Sequence, residues 1–386
     1  MIPLATPDVQ GNEESYLREC IQSTFVSSVG PFVDRFEQMV AGLASSPRAV
    51  STSSGTCALH LALHVAGVRP DDLVIVPTLT FIASANAVAH CHADPWLFDI
   101  DPKTWNLDPA KVAIGLDERT RRIDGDLIHV ATGRRVAAIM PVHGLGLPAD
   151  TERLGEIAHR YRLPLIADGA AALGATRDER PIGELCDLTV FSFNGNKTVT
   201  AGGGGAIVGR NDTLLDRAAH LASTARVGGA YDHDAIGFNY RMTNLTAAVG
   251  CAQLERLESF LVAKRTIRAA YDDLARRLDL GGFPDDANAR GACWFSGLLL
   301  DEGQDATAWC EGLAALGVGA RPFWKPVHLQ APYADAPCDR TPVADQIWKR
   351  IVTLPCSTWM SGADLATVCD AVQRVHESSA VAGGNA

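Results

Sequence analysis

Lys197 follows the apolar run Leu188–Phe193 and precedes four consecutive glycines, Gly202–Gly205. Glycines let a backbone approach a bound group closely. An amine at the exit of a buried strand is what covalent carbonyl chemistry requires of a lysine. Upstream, Leu163-Pro-Leu-Ile-Ala-Asp168 is a second apolar run, ending in one carboxylate. Asp168 could be a cofactor-pairing acid or simply a cap on the next turn. Ser53-Ser54-Gly55-Thr56 stands between a short strand-like run and an amphipathic stretch. Free amides at a helix start beside a hydroxyl make an anion site, although the same letters also make a plain helix cap.

A nucleotide-binding P-loop fails on order. It needs Gly-Lys-Ser/Thr opening a helix, whereas Asn196 precedes Lys197 here and the glycines come after it. An anion-binding helix start, a carboxylate for a protonated ring nitrogen and an imine-forming lysine together suit pyridoxal phosphate. That cofactor withdraws electrons only while its ring nitrogen is paired with an acid.

These residues need a scaffold that delivers strand ends to one edge. Strand-like runs at 48–51, 73–77, 96–99, 136–142, 163–168, 188–193 and 205–208 alternate with helical stretches. In Cys57–Val65 the apolar Ala58, Leu59, Ala62 and Val65 share a face; in Thr151–Tyr161, Leu154, Ile157 and Ala158 do. Such alternation predicts an α/β fold with a mostly parallel sheet covered on both faces, and ligands at the carboxyl ends of its strands. From Asn244 to Leu278 the spacing predicts one long helix, with Leu254, Leu257, Leu261, Tyr271, Leu274 and Leu278 as its apolar stripe. Beyond it lies a smaller α+β unit, giving expected domains of 1–245 and 246–386. The small, polar tail 378–386 is expected to fray.

Within 386 residues, 34 Lys+Arg against 45 Asp+Glu leave a charge of −11, which argues against broad nucleic-acid binding. Ten cysteines without a Cys-x-x-Cys pair are expected to be reduced thiols. With neither a signal-like N-terminus nor a spanning apolar run, the expectation is a cytoplasmic protein away from membranes. His90-Cys91-His92 is taken as a helix end rather than a metal site, so no metal is expected. The charges of Arg119–Arg122 and Arg134–Arg135 are taken as solvated, and the pairs Asp71-Asp72 and Asp285-Asp286 as turns.

The chain resembles the DegT/StrS-type sugar aminotransferases, among the fold type I pyridoxal-phosphate enzymes. The motifs that carry this span residues 3–357: Ser54-Gly-Thr-Cys-Ala-Leu59, Pro77-Thr-Leu-Thr-Phe81, Asp99-Ile-Asp101 with Asn106-Leu-Asp108, Pro141-Val-His143 and Phe191-Ser-Phe-Asn-Gly-Asn-Lys197. Gly237-Phe-Asn-Tyr-Arg-Met-Thr-Asn244, Ala252-Gln-Leu-Glu255 and Arg321-Pro-Phe-Trp-Lys-Pro-Val-His328 complete them. The Asn-Gly-Asn-Lys segment, Thr132–Arg135 and Trp324–His328 are most similar to the branch acting on nucleotide-linked 4-keto-6-deoxy sugars, as in the bacillosamine, legionaminic acid and perosamine pathways.

The resemblance implies a large cofactor domain, its mostly parallel mixed sheet sandwiched by helices, and a smaller C-terminal α+β domain. It implies amino transfer from L-glutamate to C4 of a uridine- or guanosine-diphosphate-linked 4-keto-6-deoxyhexose, with a UDP-linked N-acetyl 4-keto hexosamine as the favoured substrate. Lys197 and Asp168 would be the catalytic pair. Ser54, Gly55, Thr56 and Ser192 would hold the phosphate, Phe81 would cover the ring, and Asn239 would reach the cofactor of a neighbouring subunit in a homodimer with composite sites. Arg226, Tyr231, His233, Lys325 and His328 are the candidates for the nucleotide sugar. Apart from the resemblance, Trp324 and His328 read as core packing. One position departs: the family writes Asp-x-Ala followed by Gln or His, whereas this chain has Asp168-Gly-Ala-Ala171. Readings of a catalytically drifted cofactor-binding regulator, a 3-aminotransferase or a sugar dehydratase stay open, the presence of Lys197 favouring transamination over dehydration.

Overall fold

The computed structural model describes residues 1–383, with side chains to Ser379. Strands Val50–Thr52, Gly205–Val208, Leu188–Ser192 and Ile166–Asp168 are neighbours in that order. Parallel bridges Ile139↔Leu165 and Val142↔Asp168 join them to Arg134–Ile139, which pairs in parallel with Leu73–Pro77 and through it with Asp94–Phe98. Gly205–Val208 runs antiparallel to both its neighbours. The result is the expected mostly parallel mixed sheet. Its strands are apolar because helices cover both faces: Val74, Ile75, Val76, Val190 and Ile207 are fully buried, each such side chain stabilising the fold by about 1.5–3 kcal/mol.

The helices start where the sequence supplies caps. Ser54 accepts from Cys57 N–H, Asp150 from Arg153 N–H and Asn211 from Leu214 N–H. Helix Asn244–Leu254 is buried on nearly every side and packs among Glu13–Ser23 and Pro31–Leu43. Gly250 permits this, since a Cβ there would lie 2.6 Å from the Phe36 ring.

Three expectations need correction. The stretch 244–278 is two helices, Asn244–Leu254 and Leu257–Arg277, broken at Glu255–Arg256. The apolar stripe hides a change of partner: Leu254, Leu257 and Leu261 pack with the sheet-covering helices, whereas Ile267, Tyr271 and Leu274 join the core of the C-terminal sheet. Arg134 and Arg135 are not solvated. They bind Asp94 and Asp72 and the Gly67, Asp71 and Asp72 carbonyls, fastening the start of their strand to its neighbours. Arg119, Arg121 and Arg122 stay exposed as expected, Arg119 pairing with Asp339 and Arg122 donating to the Tyr161 carbonyl. Helix Gly362–Gly383 continues through Ser378, where fraying was expected. Val368 and Val372 anchor it in the core, and residues 384–386 lie outside those described.

In the C-terminal part, strands Ser296–Leu299, Ile351–Leu354 and Arg321–Pro322 form an antiparallel sheet. The first eight residues cross to it as a strap. Ile2 bridges to Val318, Leu4 O accepts from Cys356 N–H, and Thr6 N–H donates to Ser357 Oγ. At its far end Asp8 makes a two-pronged ion pair with Arg256. The ten cysteines are all free, and no helix among the described residues is long and apolar enough to cross a membrane.

Candidate active site

Lys197 lies in the turn after strand Leu188–Ser192, its N–H donating to Asn194 O at 2.9 Å. Part of its surface stays open, but the ammonium end is enclosed. Its Nζ sits 3.7 Å from the centre of the Trp294 ring. Burial pulls its pKa down to about 8, with the Asp168 carboxylate partly opposing. At that value an appreciable fraction is free amine near neutral pH, the form that attacks a carbonyl.

Asp168 ends the neighbouring strand, in register with Val190, and is 5% exposed. Its Oδ2 accepts from Ser84 Oγ at 2.6 Å and its Oδ1 from Ala170 N–H at 3.0 Å. Ser84 in turn touches Thr80 Oγ1 at 2.9 Å. The Asp168 carbonyl accepts from His143 N–H, and His143 Nδ1 accepts from Ala149 N–H. Burial, with Arg177 nearby, holds that imidazole neutral, its pKa pushed down to about 3. It serves as a neutral anchor for the loop beside Asp168.

The start of helix Gly55–Val65 faces the strand that precedes Lys197. A Cβ on Gly55 would come within 2.8 Å of Ser192 Cβ and 3.0 Å of its Oγ. Ser54 caps the helix, leaving the Gly55 and Thr56 amides without intrahelical acceptors. A positive φ at Gly202 and Gly204 lets the return strand pass under Ser53, whose carbonyl accepts from Gly204 N–H. Amides, a hydroxyl and a dipole end therefore converge as an anion-binding donor set. With the partly neutral amine of Lys197 and the buried acid, these residues fit pyridoxal phosphate.

Phe81 heads helix Ile82–His90 and leaves about half its surface open. Its ring lies 5.6 Å from Trp324, which lies 5.9 Å from Trp294. An aromatic arc thus links Phe81 to Lys197. The Trp324–His328 segment is moored to the same loop: Val327 N–H donates to Thr78 O, and His328 Nδ1 meets Thr78 Oγ1 at 2.6 Å. The other nitrogen of His328 faces Asp345 at 3.0 Å. Lys325 is exposed.

Other candidates are not brought to this centre by any side-chain hydrogen bond, ion pair or ring contact among the described residues. Arg226, Tyr231 and His233 sit on an exposed hairpin, Arg226 stacked 4.5 Å over Tyr231 and His233 held by Thr224 O. Asn239 is exposed, its side chain without a hydrogen bond to the described residues. Ser84, Thr80 and Trp294 are the contributors that sequence reasoning missed. Ser84 stands one helical turn after Phe81, the only local hint of its placement.

The chain matches the DegT/DnrJ/EryC1/StrS aminotransferase family over residues 7–373. It is 38% identical to a GDP-perosamine synthase of Caulobacter vibrioides, over 97% of this chain and 98% of that one. Identity to the GDP-perosamine synthase of Escherichia coli O157:H7 is 33%, with the same coverage. Among solved structures, DesI in the presence of its TDP-sugar product superposes with a TM-score of 0.86 at 29% identity, covering 98% of this chain and 94% of that one.

Proposed function

Because the chain belongs to the DegT/DnrJ/EryC1/StrS aminotransferase family, we propose that it moves an amino group from L-glutamate to C4 of a nucleotide-linked 4-keto-6-deoxy sugar. Pyridoxal phosphate is its cofactor, and supplies an electron sink for the carbon that gains or loses the amine. The observation that carries the reading is an enclosed lysine amine with a lowered pKa, in the field of a buried carboxylate at the adjoining strand end.

Lys197 would hold the cofactor through Nζ and, once released, take a proton from the reacting carbon and return it. Asp168 would pair with the ring nitrogen, its carboxylate fixed by Ser84 and Ala170. The Gly55 and Thr56 amides, capped from Ser54, and the Ser192 hydroxyl would hold the phosphate. The open face of Phe81 suits stacking on the ring. A homodimer would complete the site. Tyr231 and Ile236 are 86% and 91% exposed in one chain, and a second subunit would cover them while Asn239 reaches across. Arg226, Tyr231, His233 and Lys325 are accessible to a sugar nucleotide, with His328 beside the Phe81 loop.

The likeness to two GDP-perosamine synthases over nearly the whole chain supports a guanosine diphosphate carrier rather than the UDP-linked N-acetyl hexosamine expected from the motifs. The test incubates purified protein with glutamate and a series of 4-keto and 3-keto sugar nucleotides, read by mass spectrometry. A new amine on a 4-keto substrate is expected. Amination of a 3-keto sugar would move the regiochemistry, loss of water would indicate a dehydratase, and no change in the bound cofactor with glutamate would favour a regulator. Lys197→Ala should abolish both the visible absorbance of bound cofactor and turnover; retained turnover would sink the mechanism.

A further inference from the structure

Lys197 must stand somewhere while it is not bonded to cofactor. A released lysine on a flexible four-carbon stem needs a defined resting place if it is to act on one carbon. The surroundings offer one. The Trp294 ring centre lies 3.7 Å from Lys197 Nζ, well inside the range in which a ring face attracts a cation.

Trp294 is itself immobilised on several sides. Its Nε1–H donates to Asn196 O at 2.7 Å, gripping the residue before the lysine. Its backbone N–H donates to Leu145 O at 3.0 Å, and its carbonyl accepts from Lys264 Nζ at 2.9 Å. Lys264 is 3% exposed and also donates to Cys356 O at 2.6 Å. Its buried charge is therefore used on carbonyls that fix the tryptophan and the strap. Trp294 is 3% exposed, and Phe295 and Trp324 pack against it. A cavity of about 10 Å³ behind Lys197, lined by Asp8, Thr198, Gln253 and Lys264 among others, is too small to admit the side chain on that side.

We propose that Trp294 is the positioning residue for Lys197: its indole face receives the ammonium group when the lysine is free of cofactor, and its N–H fixes the turn carrying the lysine. This rests on Lys197 being the cofactor lysine. The charged groups around that position are Asp168 on the neighbouring strand end, Asp8 on the strap and Lys264 on helix Leu257–Arg277. Of these, Asp168 favours the ammonium form and burial opposes it. The ring adds a second favourable partner for the cation.

The experiment measures the rate at which cofactor-free protein captures pyridoxal phosphate as a function of pH, read by visible absorbance. The wild-type midpoint is expected near 8. Trp294→Leu removes the ring while keeping an apolar filler, so its midpoint should fall by roughly one pH unit. Trp294→Phe retains a ring face and should stay closer to wild type. Equal midpoints in all three folded proteins overturn the proposal. Should the variants fail to fold, selectively labelled lysine in wild-type cofactor-free protein gives an independent reading by NMR. One lysine ε-methylene signal should be shifted upfield by the ring current, be absent from Lys197→Arg, and lose its shift when pyridoxal phosphate is added. No upfield lysine signal overturns the role of Trp294 alone. Cofactor absorbance surviving in Lys197→Ala would instead overturn the reading beneath it.

Discussion

Asp168 has each oxygen engaged by a neutral donor of its own chain, Ser84 Oγ on one side and Ala170 N–H on the other. A hydrogen bond to a buried charged acceptor contributes about 1.5–3 kcal/mol. Removing Ser84 therefore frees the carboxylate to rotate and leaves Thr80 facing a void. Ser84→Ala should lower kcat by about 10- to 100-fold, with cofactor still bound. Steady-state kinetics beside a cofactor titration check this, and unchanged kcat would show that Ser84 only fills space. At this scale, Lys197 and Asp168 stand out in the sequence because one follows an apolar run and the other ends one, a local pattern. Ser84 and Trp294 were not, because their partners stand 84 and 98 residues away in the chain. The absence of Gln or His at Ala171 was visible at once, yet the side chain there packs in the core of the C-terminal unit.

At the scale of elements, the proposed anion-binding end of helix Gly55–Val65 depends on how closely it meets strand Leu188–Ser192. Gly55 sets that distance. Alanine is the better helix former by about 1 kcal/mol, so Gly55→Ala should leave helicity and secondary structure intact. Its Cβ would nonetheless collide with Ser192 at 2.8 Å and push apart the two sides of the donor set. Affinity for pyridoxal phosphate should fall at least about tenfold while circular dichroism is unchanged. Titrating cofactor-free protein measures it, and wild-type affinity would contradict the phosphate assignment. The alternation of strands and helices was readable from periodicity alone, as was the cap at Ser54. The break at Glu255–Arg256 was not, because the leucine spacing runs through it without a glycine or proline. What changes there is the neighbouring core, and a sequence pattern does not record which core a leucine enters. The Arg134–Asp94 and Arg135–Asp72 pairs escaped for a similar reason, as charges look solvated until the strand that receives them is placed.

For the molecule as a whole, the strap 1–8 is the least expected feature, having no periodicity of its own. It edges the C-terminal sheet at Ile2, closes over the cavity behind Lys197, and ends on Arg256 between the two helices. Asp8 is nearly buried and Arg256 only partly so. Asp8→Ala should therefore destabilise by about 1–3 kcal/mol, seen as a lower urea midpoint. It should also broaden the lysine ε-methylene signal of Lys197, since the strap lines the same cavity. An unchanged midpoint would mean that the ion pair contributes nothing. Against the global charge of −11, the proposed phosphate site draws on amides, a hydroxyl and an enclosed lysine as donors.

The strap also sets a timetable for synthesis. A ribosome delivers residues 1–8 well before their partners Val318, Cys356 and Ser357. The large sheet can assemble while the chain is still growing, since its strands lie between residues 50 and 208. The wall behind Lys197 cannot be completed until Cys356 and Ser357 have emerged. On the proposed role of Lys197, cofactor capture in a competent form would wait for those residues, and a nascent chain stalled before Cys356 would carry the lysine without its finished surroundings.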